Sequence, residues 1–230
     1  MKKIERCYNC GKELLDGQAT REHIPAKALF DGRDSKYTKN RITVPACFEC
    51  NNKYSKTDEE FRNMIGIISN HNENDIITEK SVRSILRKPS GTSRLRIDSL
   101  GKVFGVKFDG NIFEDSNIKN FKGVFYHQYG FPLPNNYEIL VIIDVDNHRE
   151  STLCAIEYLK NNFVWKCSGH KDIFSYCIQP LRDIENRYSM EDFMFDENDK
   201  IIVCGMVYNK EHGALVYARK IESMIPEEDL

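Results

Sequence analysis

The sequence predicts an α+β protein with an N-terminal module stapled by paired cysteines, then helices, then a C-terminal α+β domain with a partly antiparallel sheet. Three observations predict it. Cys7-Tyr8-Asn9-Cys10 and Cys47-Phe48-Glu49-Cys50 form two C-x-x-C pairs within the first fifty residues. Thr57 to Ile68 and Glu79 to Lys88 carry apolar residues at helical spacing. From Gly101 onward, short apolar runs alternate with helical ones. The chain has 230 residues, 40% hydrophobic and 30% charged, which suits one large or two smaller domains and excludes disorder as the main state. The expected organisation is a module over 1–56, a helical connector with a basic segment over 57–100, and an α+β domain over 101–230.

The cysteines come first. A C-x-x-C turn sets two thiolates on one side of a tight knuckle, and two knuckles supply the four soft ligands of a tetrahedral zinc site. Gly11 after Cys10 fits such a turn, because it tolerates positive φ. Four thiolates close the coordination shell, so Zn²⁺ held by Cys7, Cys10, Cys47 and Cys50 is structural. The plain alternatives are unrelated buried thiols or a redox C-x-x-C, which normally occurs once in a βαβ context. Cys154, Cys167, Cys177 and Cys204 have no close pairing and read as small core residues. A second metal site at Cys167 and His170 would need ligands from distant segments.

Between the knuckles, a short strand ending at Glu22-His23, a loop with one helical turn and a second strand over Arg41 to Val44 are expected, with a helix after the second knuckle. A carboxylate and an imidazole at the end of the first strand can then face the start of that helix.

The set Cys7, Cys10, Glu22-His23, Asn40, Cys47, Cys50 and Asn51 resembles the HNH endonucleases of the ββα-metal fold, in particular the subgroup with two zinc knuckles, as in nucleases of the endonuclease VII type. The likeness covers about residues 4 to 56. Many members have Asp where this chain has Glu22, and Asn51 stands where the eponymous His would be. The resemblance implies a metal-dependent nuclease that hydrolyses phosphodiester bonds in DNA, with RNA also conceivable as substrate. His23 is then the general base, since an imidazole with a pKa near ~6.5 takes a proton at neutral pH. Glu22 and Asn51 are hard oxygen ligands for catalytic Mg²⁺ or Mn²⁺, and Asn40 orients the His23 ring. Taken singly, His23 reads as a surface histidine and Asn51 as a helix cap. Lys53, Lys56, Arg21 and Arg41 are candidate phosphate contacts that otherwise read as solvated charges. The competing reading is a non-catalytic zinc-knuckle protein that binds nucleic acid or a partner. Chains of this shape also resemble effectors of mobile elements or phage defence.

In the connector, Thr57-Asp58-Glu59-Glu60 has the form of a capping box, with Phe61, Met64, Ile65 and Ile68 inward. A second helix over Glu79 to Lys88 would place Val82, Ile85 and Leu86 on one face and stop at Pro89. Lys80, Arg83, Arg87, Lys88, Arg94 and Arg96 form a run that is either a solvated face or a phosphate-contacting arm. Further on, Lys102 to Phe108 and Asn111-Ile112-Phe113 read as a hairpin about Asp109-Gly110. A helix over Asn117 to Tyr129 would bury Phe121, Val124 and Phe125 and end at Gly130. Strands are expected over Tyr137 to Val145, Phe163 to Cys167, Ile173 to Ile178 and Ile201 to Tyr208, with a helix over Ser151 to Lys160. His127 and His170 read as structural or surface residues. No Walker loop or dinucleotide fingerprint occurs.

The net charge of −2 hides two halves. Residues 1–56 carry 12 Lys+Arg and 7 Asp+Glu, and residues 57–230 carry 21 and 28. Any nucleic-acid contact is therefore expected from the basic first quarter. Apolar stretches such as Ile139 to Ile143 fall far short of the ~20 residues of a membrane span. Met1 to Arg6 lacks a secretory signal's apolar segment, so a cytoplasmic protein with reduced thiols is expected. Two-strand cleavage by one small site would favour a homodimer.

Overall fold

The computed structural model describes residues 5–69, 76–88, 91–143, 149–184, 187–189 and 194–221. Two short strands, β1 (Glu5–Arg6) and β2 (Glu13–Leu14), flank the first knuckle and pair antiparallel. The strands β3 (Thr20–Ile24) and β4 (Ile42–Ala46) form an antiparallel hairpin, joined through a 3-10 turn at Lys27–Phe30 and a one-turn helix α1 (Ser35–Thr38). Helix α2 (Phe48–Lys53) starts one residue after Cys47, whose sulfur accepts the Cys50 N–H at its N-terminus. The expected order of strand, loop with a helical turn, strand and helix is present.

Helix α3 (Ser55–Ile68) starts before Thr57, so the expected capping box lies inside the helix, and Glu59 and Glu60 serve as ion-pair partners instead of caps. In α4 (Ile76–Arg87) the buried face is Ile77, Ser81, Ser84 and Ile85. Val82 and Leu86, expected inward, are about half exposed. The reason is close approach: a Cβ on Gly66 of α3 would stand 2.3 Å from Ser81 Oγ, so only small side chains fit between the helices. Pro89 lies outside the described residues.

The hairpin expected about Asp109-Gly110 is not formed. Instead, β5 (Leu95–Ile97) pairs with β6 (Val103–Val106), and α5 (Asn111–Tyr129) begins right after Gly110. The Asp109 carboxylate accepts the Asn111 N–H at 3.1 Å, using for a helix start the same local bonding that makes Asp a turn residue. At its other end α5 stops as expected, with Gly130 at φ 82° donating its N–H to Tyr126 O at 2.8 Å.

The C-terminal half is built on an antiparallel sheet in the order β10-β9-β11-β12-β7, with β8 also on β9. Its strands are β7 (Tyr137–Ile143), β8 (Lys166–Cys167), β9 (Phe174–Ile184), β10 (Arg187–Ser189), β11 (Ile201–Tyr208) and β12 (His212–Lys220). Helix α6 (Arg149–Asn162) lies between β7 and β8 in sequence. The expected strand over Phe163 to Cys167 is regular only at its last two residues, and 144–145 lie outside the described residues.

Alternation of side chains across strands makes three layers. Ile202, Cys204, Met206 and Tyr208 of β11, with Ala214, Val216 and Ala218 of β12, join the core that includes Phe121, Val124 and Phe125 of α5. Val203 and Leu215 face the other way, onto Leu159 of α6. The α5-side core runs on through Phe61 and Ile65 of α3 to Ile24, Val44 and Cys7, so segments from 1–56, 57–100 and 101–230 share it. Cys177 and Cys204 are buried as expected, whereas Cys154 and Cys167 are exposed, because they lie on the outer faces of α6 and of an edge strand. No described helix is long and apolar enough to cross a membrane.

Candidate metal centre and the adjoining hairpin

The sulfurs of Cys7, Cys10, Cys47 and Cys50 lie within 4.8 Å of one another, and none of the eight cysteines is in a disulfide. The Cys10 and Cys47 sulfurs are 3.9 Å apart. Zinc–sulfur bonds of ~2.3 Å in a tetrahedron put sulfurs about 3.8 Å from one another, so this spacing fits a single ion such as Zn²⁺ and excludes a disulfide. The backbone arranges it: Tyr8 N–H donates to Pro45 O at 2.9 Å, tying the first knuckle to β4, and α2 lifts Cys50 one turn above Cys47. Asn9 Nδ2 donates to Cys50 Sγ at 3.3 Å, a contact of the kind that steadies a ligating thiolate. Burial pushes the Cys50 thiol up, with the Asn9 hydrogen bond opposing it; a bound metal would remove that proton. At Cys7 burial also raises the thiol, but hydrogen bonds from the Cys10, Cys47 and Asn9 backbone outweigh it, and the net shift is downward. Among the described residues, Cys167 and His170 join no such ligand group.

Beside this staple, β3 divides its side chains between two faces. Thr20, Glu22 and Ile24 point toward α5, and Arg21 and His23 point away. Helix α5 comes close enough to β3 that a Cβ on Gly123 would stand 2.3 Å from Ile24 Cγ1. One helical turn earlier, Lys119 is 1% exposed, with its ammonium 3.1 Å from Glu22 Oε1 and 2.7 Å from both Asp58 oxygens. Two carboxylates thus face one ammonium in the interior. Burial raises the pKa of both Glu22 and Asp58, and Lys119 offsets part of that. Glu22 Oε2 and the Tyr8 hydroxyl are buried with no hydrogen-bond partner among the described residues. The sequence reading assigned none of Lys119, Asp58 and Tyr8 to the site; the one available signal was a lysine four residues before a glycine on a helix flanked by apolar positions.

His23 is half-buried, and its Nδ1 has no hydrogen-bond partner among the described residues. Burial lowers its pKa, assisted by the positive charges of Arg41, Lys27 and Lys119, so the ring is neutral at pH 7. Asn51, on α2, donates Nδ2 to Thr20 Oγ1 at 3.1 Å, which brings it to the same face of β3 as Glu22. Asn40 is exposed in the turn before β4 at φ 56°, and its carbonyl accepts the Gly169 N–H. No hydrogen bond joins its side chain to His23. In the basic run, Arg83 pairs with Glu79, and Lys88 and Arg94 pair with Glu60, so half of those cations are engaged within the chain. His127 is exposed, and His170 packs edge-on to Tyr37 while accepting the Asp172 N–H.

Comparison with protein-family models, curated proteins and solved structures finds no match to this chain.

Proposed function

We propose that the chain is a metal-dependent HNH-type endonuclease that hydrolyses phosphodiester bonds in DNA, with zinc on the four cysteines as its structural staple. The observation that carries the reading is the Asn51–Thr20 hydrogen bond. It draws the first helix residue after the second knuckle onto the face of β3 that bears Glu22, within a hairpin and helix held together by the cysteines.

The donor chemistry suits a divalent cation. Glu22 Oε2 has no donor beside it, Asn51 has committed its amide N–H₂ to Thr20 and keeps its oxygen, and Glu22 and Asp58 share the single ammonium of Lys119 in the interior. Glu22 and Asn51 would hold Mg²⁺ or Mn²⁺, which supplies charge neutralisation at the phosphate. The protein's own part is acid–base and positional. His23, neutral at pH 7, accepts the proton of the attacking water through a ring nitrogen. Arg41 and Lys27, whose charges act on His23, offer attraction to the phosphate that flanks it. Lys119 fixes the Glu22 carboxylate against rotation.

A second reading, a non-catalytic zinc-knuckle binding protein, is favoured by one observation: Glu22 faces inward onto Lys119 while His23 faces outward, so the two need not serve one reacting centre. Wild type and His23→Ala are to be compared on supercoiled plasmid, linear duplex, single strands and RNA, with Mg²⁺, Mn²⁺ or chelator. The nuclease reading expects scission by wild type alone and only with a divalent ion. Binding without scission under every metal would favour the second.

A further inference from the structure

On the C-terminal half, an open cleft of about 510 Å³ has Lys160, Lys166, Lys171, Lys210, Trp165 and Phe163 in its lining. That volume is within the range of small-ligand sites. The four lysines are exposed, and the lining includes one acid, Asp172, which pairs with Lys210 at 2.9 Å. Trp165 is seated against Gly205 of β11, where an added Cβ would stand 3.1 Å from its ring. Its Nε1 is sealed in the protein, so the ring offers carbon, not its N–H, to the cleft. The Lys160 ammonium lies 5.9 Å from the ring centroid.

A second observation concerns Lys210 itself. It sits in the β11–β12 loop at φ 68°, a left-handed conformation in which glycine would be less strained. Lys210 thus holds its charge at the cleft from a backbone conformation that glycine adopts with less strain. The rim of the cleft is also tied to the hairpin. Ile42 N–H donates to Ser168 Oγ at 2.9 Å, Gly169 N–H to Asn40 O at 3.2 Å, and His170 packs on Tyr37, which fastens the loop leading to Lys171 beside β4, the strand paired with His23.

We propose that this cleft binds a nucleotide unit, its phosphates drawn by Lys166, Lys171 and Lys210 and its base packed against the half-buried Trp165 and Phe163 rings. The inference deepens the nuclease reading and rests on it for the role of the cleft, which is to hold an unpaired stretch of substrate next to the hairpin. Lysines supply sequence-independent attraction to phosphate, and an aromatic floor accepts any base but cannot stack on one still paired in a duplex.

Trp165 is the sole tryptophan, so its fluorescence reports on the cleft directly. The 230-residue chain carrying His23→Ala, without added divalent metal, is titrated with a short oligothymidylate, thymidine monophosphate, a duplex of equal length, and heparin. The oligothymidylate is expected to quench Trp165 and to bind about 20-fold more weakly at 200 mM than at 50 mM salt if three phosphates are contacted. Lys166→Glu with Lys171→Glu should weaken binding by about tenfold or more. Lys210→Gly should weaken it while leaving thermal stability unchanged or higher, since its strain is relieved and a surface ion pair contributes little. Equal affinity for the monophosphate assigns the cleft to free nucleotides, and tighter binding of the oligonucleotide assigns it to a strand. No quenching by either, or equal quenching by duplex or heparin, overturns the proposal. Since binding is read without cleavage, its failure leaves the nuclease assay standing, and an inactive wild type leaves this titration standing.

Discussion

The hairpin and the C-terminal sheet both pack against α5, but at equal burial they set different chemistry against it. Behind β3 lie Glu22 at 5% exposure and Lys119 at 1%, whereas the matching layer of the sheet holds Met206, Val216 and Ala218 at 0%. Exchanging buried ions for apolar groups of similar volume is often neutral or stabilising, while removing one ion of a set is costly. Stability alone therefore does not call for charge behind β3. Apolar burial comes from the sheet and from Ile24, Ile42 and Val44 of the hairpin alike, and only the hairpin, stapled by the cysteines, adds the buried Glu22–Lys119–Asp58 ions to it.

That contrast gives graded ways to break it. Cys47→Ser has the largest expected effect, since structural zinc sites in small modules carry on the order of 10 kcal/mol of apparent binding free energy. Hydrogen exchange should then accelerate in β3 and β4 while β11 and β12 stay protected; uniform loss of protection would show one indivisible unit. Next, Lys119→Met leaves Glu22 and Asp58 unpaired and is expected to cost about 3–5 kcal/mol in chemical denaturation. The triple change Lys119→Met, Glu22→Gln, Asp58→Asn should recover much of that, and failure to recover would place the cost in packing. Gly123→Ala should cost about 1–3 kcal/mol by forcing α5 off Ile24, whereas Gly110→Ala, with open space around its Cβ position, should be near neutral in the same measurement.

The smallest effects concern pH. Because burial and neighbouring cations lower the His23 pKa, the neutral ring is the favoured folded form. The stability it contributes is full above the unfolded value of ~6.5 and is lost as pH falls through the lower folded value. The acid limb of the cleavage rate should accordingly lie below pH 6.5, and a limb above it would remove His23 as the base. Glu59 is held below the usual carboxylate range first by the Ser84 hydroxyl and then, against burial, by Lys88 and Arg62. Its small contribution is present above the unfolded pKa and fades as pH falls through the folded one, so Ser84→Ala should reduce the acid dependence of melting slightly.

What could be read from the sequence was what depends on neighbours along the chain. Two C-x-x-C knuckles announce a four-thiol cluster because ligand geometry is local. The run Ile201 to Tyr208 announces a strand because both its faces are buried, and Gly130 announces the end of α5 because only a left-handed residue closes it. The start of α5 was missed because Asp-Gly serves hairpins and helix starts alike. The strand His212–Lys220 was not read, since His212-Gly213 and Arg219-Lys220 surround its apolar centre with polar and flexible residues. Lys119 was invisible for a different reason: its partners, Glu22 and Asp58, are 97 and 61 positions away, and only the fold brings them together. Val82 and Leu86 misled because helix periodicity marks an apolar face without saying that Gly66 and Ser81 draw the neighbouring helix to another one.

The central claim is that a thiol-held metal shapes the hairpin while His23 does chemistry on it. It is tested most directly by measuring zinc content and plasmid scission on the same preparations of wild type and His23→Ala. The account predicts about one zinc per chain in both, equal melting, and Mg²⁺-dependent scission by wild type only. Scission retained by His23→Ala, or a zinc-free wild type that folds and melts as the zinc-loaded one does, would contradict it.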